Sequence, residues 1–549
     1  MQPYIAPGPD GSQPVFYQRF WDLVKPNVVG IVKEVLEGRD FPLGLNNAFL
    51  VLIPKVDVPQ GAKQFRPIGL CNIVYKLVTK VIVNRLKPVL PTLISPTECS
   101  FVPNRQITDN VIIVQEMLHT MRNKKGKVGY MAVKIDFEKA YDRLRWSFIC
   151  ESLMELRIPQ NLVEVVKQCI NSVKLQILWN GEPLKEFSPS RGIRQGDPLF
   201  PYLYVICMER LTHLIDREVS LGSWKPARAS RDGPPISNLA FADDLILFGE
   251  AIDQAKFVIV WAWSSGMEAT EDFGKYLGVP TINGSLTTKL PRTTCDDIDR
   301  KTRSFLWGEH EGKRKVHLVV WDKVTRPRNE GGLGIKSMRQ TNSAFLAKLG
   351  WRLLAEPAAL WSRVLRAKYC NNGCDIDMFK DKASAFNAWR GIMSSVDVIN
   401  KGLNVAVGNG NKTFFWHHRW KIRNTGWKYE AFAAYLPDST LREIASFDLV
   451  DDEDAVDDIY WNGSPNGGFS ISSALTLIRN EVELNEVSLK KRRSIWRVSI
   501  PQKMRFFLWL AIQEHLMTNG NRFVRHLTED PRCLVCGDWG CRRERGTCG

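Results

Sequence analysis

The chain has 549 residues, 44% of them hydrophobic, a formal net charge of +16 and a pI near 9.3. That length allows three or four domain-sized units, and the apolar content is ordinary for globular protein with sizeable cores. No apolar run is long enough to span a membrane, the first residues lack a signal-peptide layout, and most of the twelve cysteines are scattered singly, as in reduced intracellular proteins. The basic balance points to a polyanionic partner. Residues 490–549 alone carry thirteen Lys/Arg against five Asp/Glu, just after an acidic run from Asp448 to Asp458 that reads as a solvated loop.

Residues 1–14 are rich in Pro and Gly and read as a turn-laden loop, and residues 15–38 carry helical periodicity through Phe16, Phe20, Leu23 and Val24. So abrupt an opening suggests a piece of something longer. Phe49-Leu-Val-Leu-Ile-Pro-Lys55 reads as a strand, turned by Pro59-Gln-Gly61 and answered by Phe65-Arg-Pro-Ile68. Such a hairpin brings Lys55 and Arg66 near each other, two cations suited to a triphosphate or simply to solvent. Asn72 is expected to cap a helix with Ile73, Leu77 and Val81 on an apolar face and Lys76, Lys80 and Lys87 on a basic one.

Val128 to Ile135 reads as a buried strand delivering Asp136 at its end, with Phe137-Glu-Lys-Ala-Tyr141-Asp142 following. Asn180-Gly181 is a hairpin-turn signal, and Asp197-Pro198 reads as the cap and first turn of a helix over 199–216. Leu239-Ala-Phe-Ala-Asp-Asp-Leu-Ile-Leu-Phe248 reads as two strands with Asp243 and Asp244 at the tip. Adjacent carboxylates repel and, away from water, require a cation. An isolated Ala-Asp-Asp is more often an ordinary turn, because Asp is common there.

Taken together these stretches resemble a known family. Lys134 to Asp142 resembles the first catalytic motif of reverse transcriptases, Arg191-Gly-Ile-Arg-Gln-Gly-Asp-Pro-Leu199 their template- and nucleotide-positioning motif, and Phe241-Ala-Asp-Asp244 their second catalytic motif, in the family's order. Leu52 to Lys55, Phe65 to Ile68 and Ser100 to Asn110 look like fingers segments. The likeness is to the polymerases of non-LTR (LINE-type) retrotransposons of the plant type, and it implies a fragment without the endonuclease of a complete element. It implies an α+β right-hand polymerase of fingers and palm, a mostly helical thumb or connection region, and a small cysteine-bearing C-terminal module. The corresponding boundaries are 1–45 for the lead-in, 46–285 for fingers and palm, 286–465 for the middle, and 466–549 for the zinc-binding-like end.

The resemblance also assigns roles. Asp136, Asp243 and Asp244 would hold two Mg²⁺, hard cations that take carboxylate oxygens, for nucleotidyl transfer to a primer 3′-hydroxyl. Lys55, Arg66, Phe137, Tyr141, Gln195 and Gly196 would bind the nucleotide, with Tyr141 as the ring that collides with a ribose 2′-hydroxyl. Partners would be an RNA template, a DNA primer and deoxynucleoside triphosphates, with residence in the nucleus and a cytoplasmic phase. Asp142 reads as structural.

Beyond Phe248 the pattern departs from the family. Only 32 positions separate Asp244 from Tyr276 of the Lys275-Tyr-Leu-Gly-Val-Pro280 primer-grip-like segment, and the lysine-bearing stretch expected between them is missing. A degenerate remnant that binds RNA or DNA without turnover is therefore the alternative reading. A group II intron maturase shares the palm motifs but not the Tyr-Leu-Gly-Val-Pro segment or the C-terminal module. Residues 290–480 are tryptophan-rich and partly helical, with the aromatics read as core before base-stacking platforms. Gly331-Gly-Leu-Gly334 reads as a turn, and His417-His418 receives no metal. Near the end, Cys533-x-x-Cys536 has zinc-ligand spacing, with Cys541 and Cys548 able to complete a Cys₄ site, although the family expects a later His and an altered or truncated tail accounts for the ending equally well. Lys490-Lys-Arg-Arg493 reads as a nucleic-acid contact, a nuclear signal or a solvated basic run.

Overall fold

The computed structural model describes residues 1–125, 128–137, 139–251, 275–277, 279–280, 292–309, 315–370, 385–407, 420–422, 458–479, 495–513 and 515–532. The four C-terminal cysteines, His417-His418, Lys490 to Arg493 and the shortened stretch after Ala251 lie outside these residues. The architecture is α+β and divides into two compact units, Met1–Leu286 with Ala358–Asn372, and Thr287–Pro357 with Gly373–Gly549.

The first unit opens with helices α1 (Pro14–Arg19) and α2 (Trp21–Leu36), then strands β1 (Ala48–Pro54) and β2 (Phe65–Cys71). β1 and β2 pair antiparallel with Ile53 opposite Arg66, and β1 pairs parallel with β4 (Leu175–Trp179), which turns into β5 (Glu182–Pro183). The turn between β4 and β5 carries positive φ at both Asn180 and Gly181, as a two-residue primed turn requires. Helices α3 (Ile73–Leu86), α4 (Leu90–Leu93), α5 (Ile107–Asn123), α6 (Ala140–Arg143), α7 (Trp146–Glu155), α8 (Gln160–Asn171) and α9 (Phe200–Ser220) complete this part.

Three helix readings need correction. Asn72 stands at the start of α3, but its side chain does not cap it: the carboxamide donates to the Gly44 and Leu45 carbonyls and accepts the Asp10 N–H. The buried face of α3 runs through Val74, Tyr75, Val78 and Ile82, while Leu77 and Val81 are only partly covered, and Lys76, expected on the basic face, is buried. Asp197 is not the cap of a helix at 199. α9 begins at Phe200, and Asp197 instead accepts the Leu199 N–H at 2.9 Å while pairing with Arg194.

The second sheet of this unit places the carboxylates. Strand β3 (Tyr130–Asp136) pairs antiparallel with β9 (Asp244–Glu250), which pairs in turn with β8 (Asn238–Phe241), giving the order β3-β9-β8. Short ladders β6 (Ala227–Arg228) with β7 (Pro235–Ile236), and β10 (Lys275–Tyr276) with β11 (Val279–Pro280), lie outside it. As the central strand, β9 buries Leu245 through Gly249 continuously, covered on both faces rather than alternating. Trp224 explains part of that cover: its indole N–H donates to the Phe248 carbonyl at 3.0 Å, and a Cβ on Gly249 would stand 2.8 Å from the ring. Helix 360–369 belongs to the same unit, tied to α5 by Lys368 and Tyr369, both on the buried carboxylate of Glu116.

In the second unit, helix Met338–Ala355 packs on helix Ile471–Ile478, and strand Leu403–Val407 pairs with Trp420–Ile422 and Asp458–Trp461. Its described tryptophans are largely core. Trp461 is fully buried between Trp351 and Phe469, and the Trp509 indole N–H donates to the Gly331 carbonyl within the Gly331–Gly334 turn. No described helix is long and apolar enough to cross a membrane.

Candidate active site

A two-residue loop, Ala242-Asp243, joins β8 to β9, because Phe241 and Asp244 are direct partners. The ladder on the other side of β9 ends with Asp136 opposite Asp244. Strand pairing alone thus brings the backbones of Asp136, Asp243 and Asp244 to one end of one sheet, from segments more than a hundred residues apart. Such a donor set offers only hard oxygens, the chemistry that Mg²⁺ or Mn²⁺ accepts. The side chain of Asp136 lies outside the described residues, and no cluster of three or more His, Cys, Asp or Glu is assembled among the described ones. Lys134 already supplies one positive group, with its Nζ 3.6 Å from Asp244 Oδ1 in a half-buried pair.

The loop is held from one side. Ala242 has φ +55°, unusual for a residue with a Cβ, and its N–H donates to Ser100 Oγ at 3.0 Å and to Glu98 Oε1 at 3.4 Å. The segment containing Glu98 runs beside β8: Ala240 N–H donates to the Thr97 carbonyl and Cys99 N–H to the Ala240 carbonyl. Asn110 on α5 donates to that same Ala240 carbonyl at 2.7 Å and to Tyr276 Oη at 3.4 Å, linking the primer-grip-like hairpin to the acidic one. Burial pushes the Glu98 carboxyl above its ordinary range, against the lowering effect of hydrogen bonds from Ser100 and Ala242. Neither Glu98, Ser100 nor Asn110 was singled out in the sequence as a site residue. Their signal lies in tertiary hydrogen bonds that no local pattern carries.

Tyr141 stacks on Tyr204 with centroids 4.5 Å apart, and its hydroxyl is pushed up to about 12, chiefly by burial and then by the nearby charges of Asp243 and Glu98. The chain around it is stitched to the Arg191–Leu199 motif: Ile193 N–H donates to the Tyr141 carbonyl, Gly192 N–H to the Leu144 carbonyl, and the Trp146 indole to the Gly192 carbonyl. Phe137, by contrast, packs into the apolar cluster of Ile135, Trp224, Ala240, Leu245 and Leu247.

Gln195-Gly196 docks on β2. Gly69 N–H donates to the Gln195 carbonyl at 2.6 Å, and a Cβ at Gly196 would stand 2.7 Å from the Gly69 oxygen. Behind this contact the buried Arg194 guanidinium bonds the Asn46 carbonyl, Asn46 Oδ1 and Asp197 Oδ2 while lying over the Tyr75 ring. A cavity of about 130 Å³ opens beside it, lined in part by Pro67, Asp142, Arg191 and Gln195. Arg66 is exposed on the same β2 strand, and Lys55, also exposed, follows β1 with its N–H on the Gln64 carbonyl. That register makes Lys55 and Arg66 diagonal neighbours across the hairpin.

Residues 53–279 match the family model described as reverse transcriptase (RNA-dependent DNA polymerase), and residues 469–540 match that described as zinc-binding in reverse transcriptase. The second match takes in Cys533 and Cys536 and stops short of Cys541 and Cys548. Over 289 residues the chain is 31% identical to an Arabidopsis thaliana protein carrying a ribonuclease H name, covering 46% of each chain. It is 30% identical over 253 residues to an uncharacterized 149 kDa protein of transposon TX1 of Xenopus laevis, covering 45% of this chain and 18% of that one. It is 28% identical over 246 residues to a retrovirus-related Pol polyprotein from a type-2 retrotransposable element of Drosophila melanogaster, covering 45% and 22%. The chain therefore spans less than half the length of each of these relatives.

Proposed function

We propose that the chain, whose residues 53–279 match the reverse transcriptase family model, extends the 3′-hydroxyl of a primer on an RNA template, with Asp136, Asp243 and Asp244 as the ligands of two divalent ions. The observation that carries this reading is the register of β3, β9 and β8, which sets Asp136 opposite Asp244 with Asp243 adjacent. When bound, the two Mg²⁺ would supply neutralisation of the charge that develops as the nucleotidyl group is transferred.

The chain's own residues do the remaining work by positioning. Lys55 and Arg66, diagonal neighbours with exposed side chains, would pair with the triphosphate oxygens, their proximity and exposure supporting the role. Gln195-Gly196 lines the nascent base pair, where the absence of a Cβ lets backbone approach closely. Tyr141, rigidly stacked on Tyr204, presents the edge that a ribose 2′-hydroxyl would meet. Lys134 holds the Asp244 carboxylate and offsets part of its repulsion with Asp243. In the C-terminal region Cys533 and Cys536 are proposed zinc ligands, with Cys541 and Cys548 completing the set.

Primer extension on an RNA template with Mg²⁺ tests the reading. Extension by the wild-type chain, abolished by Asp243→Asn with primer–template affinity retained, is the expected result. Binding without extension by the wild-type chain would support the remnant reading instead, and activity surviving in Asp243→Asn would overturn the assignment of the carboxylates.

A further inference from the structure

We infer that Glu98 and Ser100 form a clamp that fixes the Ala242-Asp243 loop, making Glu98 a positioning residue for divalent-metal binding by the neighbouring carboxylates. The inference rests on the metal-site reading of Asp136, Asp243 and Asp244.

The loop needs an external hold. Ala242 carries a Cβ at φ +55°, a left-handed conformation that costs about 1–2 kcal/mol for an L-residue. Such a conformation persists only when surrounding contacts over-determine it. Here the Ala242 N–H is taken by Ser100 Oγ at 3.0 Å, with Glu98 Oε1 as a second acceptor at 3.4 Å. Glu98 Oε1 in turn takes the Ser100 N–H at 2.6 Å, which fixes Ser100 beneath the loop. A hydroxyl oxygen has two lone pairs, and Ser100 Oγ offers one of them to the Ala242 N–H. The next residue in the loop is Asp243, so the hold on Ala242 sets where that carboxylate begins.

Stability alone does not explain the choice of residue. Glu98 is 2% exposed, and its Oε2 has no hydrogen-bond partner among the described residues. The nearby Arg105 guanidinium is directed to the carbonyls of Ile94, Ser95 and Glu98 rather than to this oxygen. Leaving a buried carboxylate oxygen unpaired is costly, and an apolar side chain of similar volume would avoid that cost. The carboxylate contributes something an apolar group cannot, namely the oriented acceptor beneath the loop. Outer hydrogen-bond partners of this kind act on metal affinity through the groups they orient.

The test is a Mn²⁺ titration of the full chain, followed through the paramagnetic signal of free Mn²⁺, which needs no turnover. Mn²⁺ serves as probe because it takes the same oxygen ligands as Mg²⁺. Wild type should bind and Asp243→Asn should bind more weakly. Glu98→Ala and Ser100→Ala should raise the Mn²⁺ dissociation constant about 10- to 100-fold, whereas Glu98→Gln, which keeps the acceptor oxygen, should stay close to wild type. Glu98→Ala and Ser100→Ala matching wild type, while Asp243→Asn loses the ion, would overturn the clamp and leave the metal site standing. Glu98→Gln as impaired as Glu98→Ala would also overturn it, because charge rather than the oriented acceptor would then be responsible. If Glu98→Ala does not fold, Ser100→Ala and Glu98→Gln decide the matter by the same criteria. Wild type and Asp243→Asn binding alike would remove the metal-site reading itself.

Discussion

The carbonyl oxygen of Gly69 occupies the space where a Cβ on Gly196 would lie, 2.7 Å from its ideal position. Gly196 also has φ +103°, so alanine there meets both a disfavoured backbone and a fixed oxygen that no rotamer change can move. Gly196→Ala should therefore shift the Gln195-Gly196 segment away from β2. A displacement of about 1 Å at a positioning element costs on the order of 100-fold in rate. Single-nucleotide extension kinetics should show that loss in kcat/KM for the incoming nucleotide, with a lower melting temperature. Unchanged kinetics would mean that this segment does not line the base pair.

Tyr141 offers a test of substrate selection that is independent of overall rate. Its ring is fixed by stacking on Tyr204, and its carbonyl is anchored by the Ile193 N–H. Tyr141→Ala should lower the preference for deoxy- over ribonucleotides by at least about tenfold, within the range that steric discrimination of one small group supplies. Because burial, with Asp243 and Glu98 behind it, pushes the hydroxyl up to about 12, the phenol stays neutral under ordinary assay conditions. The effect should thus be the same across the neutral pH range. The ratio of kcat/KM values for paired nucleotides is the measurement, and an unaltered ratio would exclude Tyr141 as the gate.

The parts of the site legible in the sequence are those that depend on strand pattern and short motifs. The apolar runs before Asp136 and on either side of Asp243-Asp244 do form paired strands, and Asn180-Gly181 does turn a hairpin. What stayed hidden depends on partners far along the chain. Ala242 bonds Ser100 across 142 positions, and Arg194 bonds Asn46 across 148. Asn72 shows the converse: its type and place suit a helix cap, yet tertiary acceptors at Gly44 and Leu45 claim its amide. The spacing of Lys76 puts it on a basic face with Lys80 and Lys87, whereas the fold buries it.

Glu98 also gives the fold a pH dependence. Burial raises its carboxyl above the ordinary value in the folded chain, with the hydrogen bonds from Ser100 and Ala242 and the charge of Arg105 opposing. The native state then binds more protons than the unfolded state between the ordinary and the folded values. Its contribution to stability is accordingly full below the ordinary carboxylate range and declines as pH rises through the folded value. Glu98→Gln removes that titration, so its melting temperature should fall less than that of wild type as pH rises from the acid range to neutrality. Glu209 and Asp197 are shifted in the same direction and should leave a residual slope. Identical slopes in the two proteins would refute the assignment to Glu98.

Trp461 separates core from base-stacking roles for the aromatics of the second unit. Its indole N–H donates to Ser473 Oγ at 2.8 Å, its ring meets Trp351 at 5.6 Å and Phe469 at 4.5 Å, and a Cβ on Gly402 would come within 2.4 Å of it. A fully enclosed ring is unable to stack on a base without unfolding its surroundings. Trp461→Ala should therefore cost about 3–5 kcal/mol of stability, the range for deleting a large buried aromatic. It should leave affinity for single-stranded RNA unchanged at temperatures where the variant remains folded. Stacking platforms lose about 1–3 kcal/mol of binding per aromatic removed, so the two roles predict opposite pairs of results. Denaturation and RNA-binding titrations on the same preparation distinguish them: weakened binding with stability intact would place this indole among the nucleic-acid contacts rather than in the core.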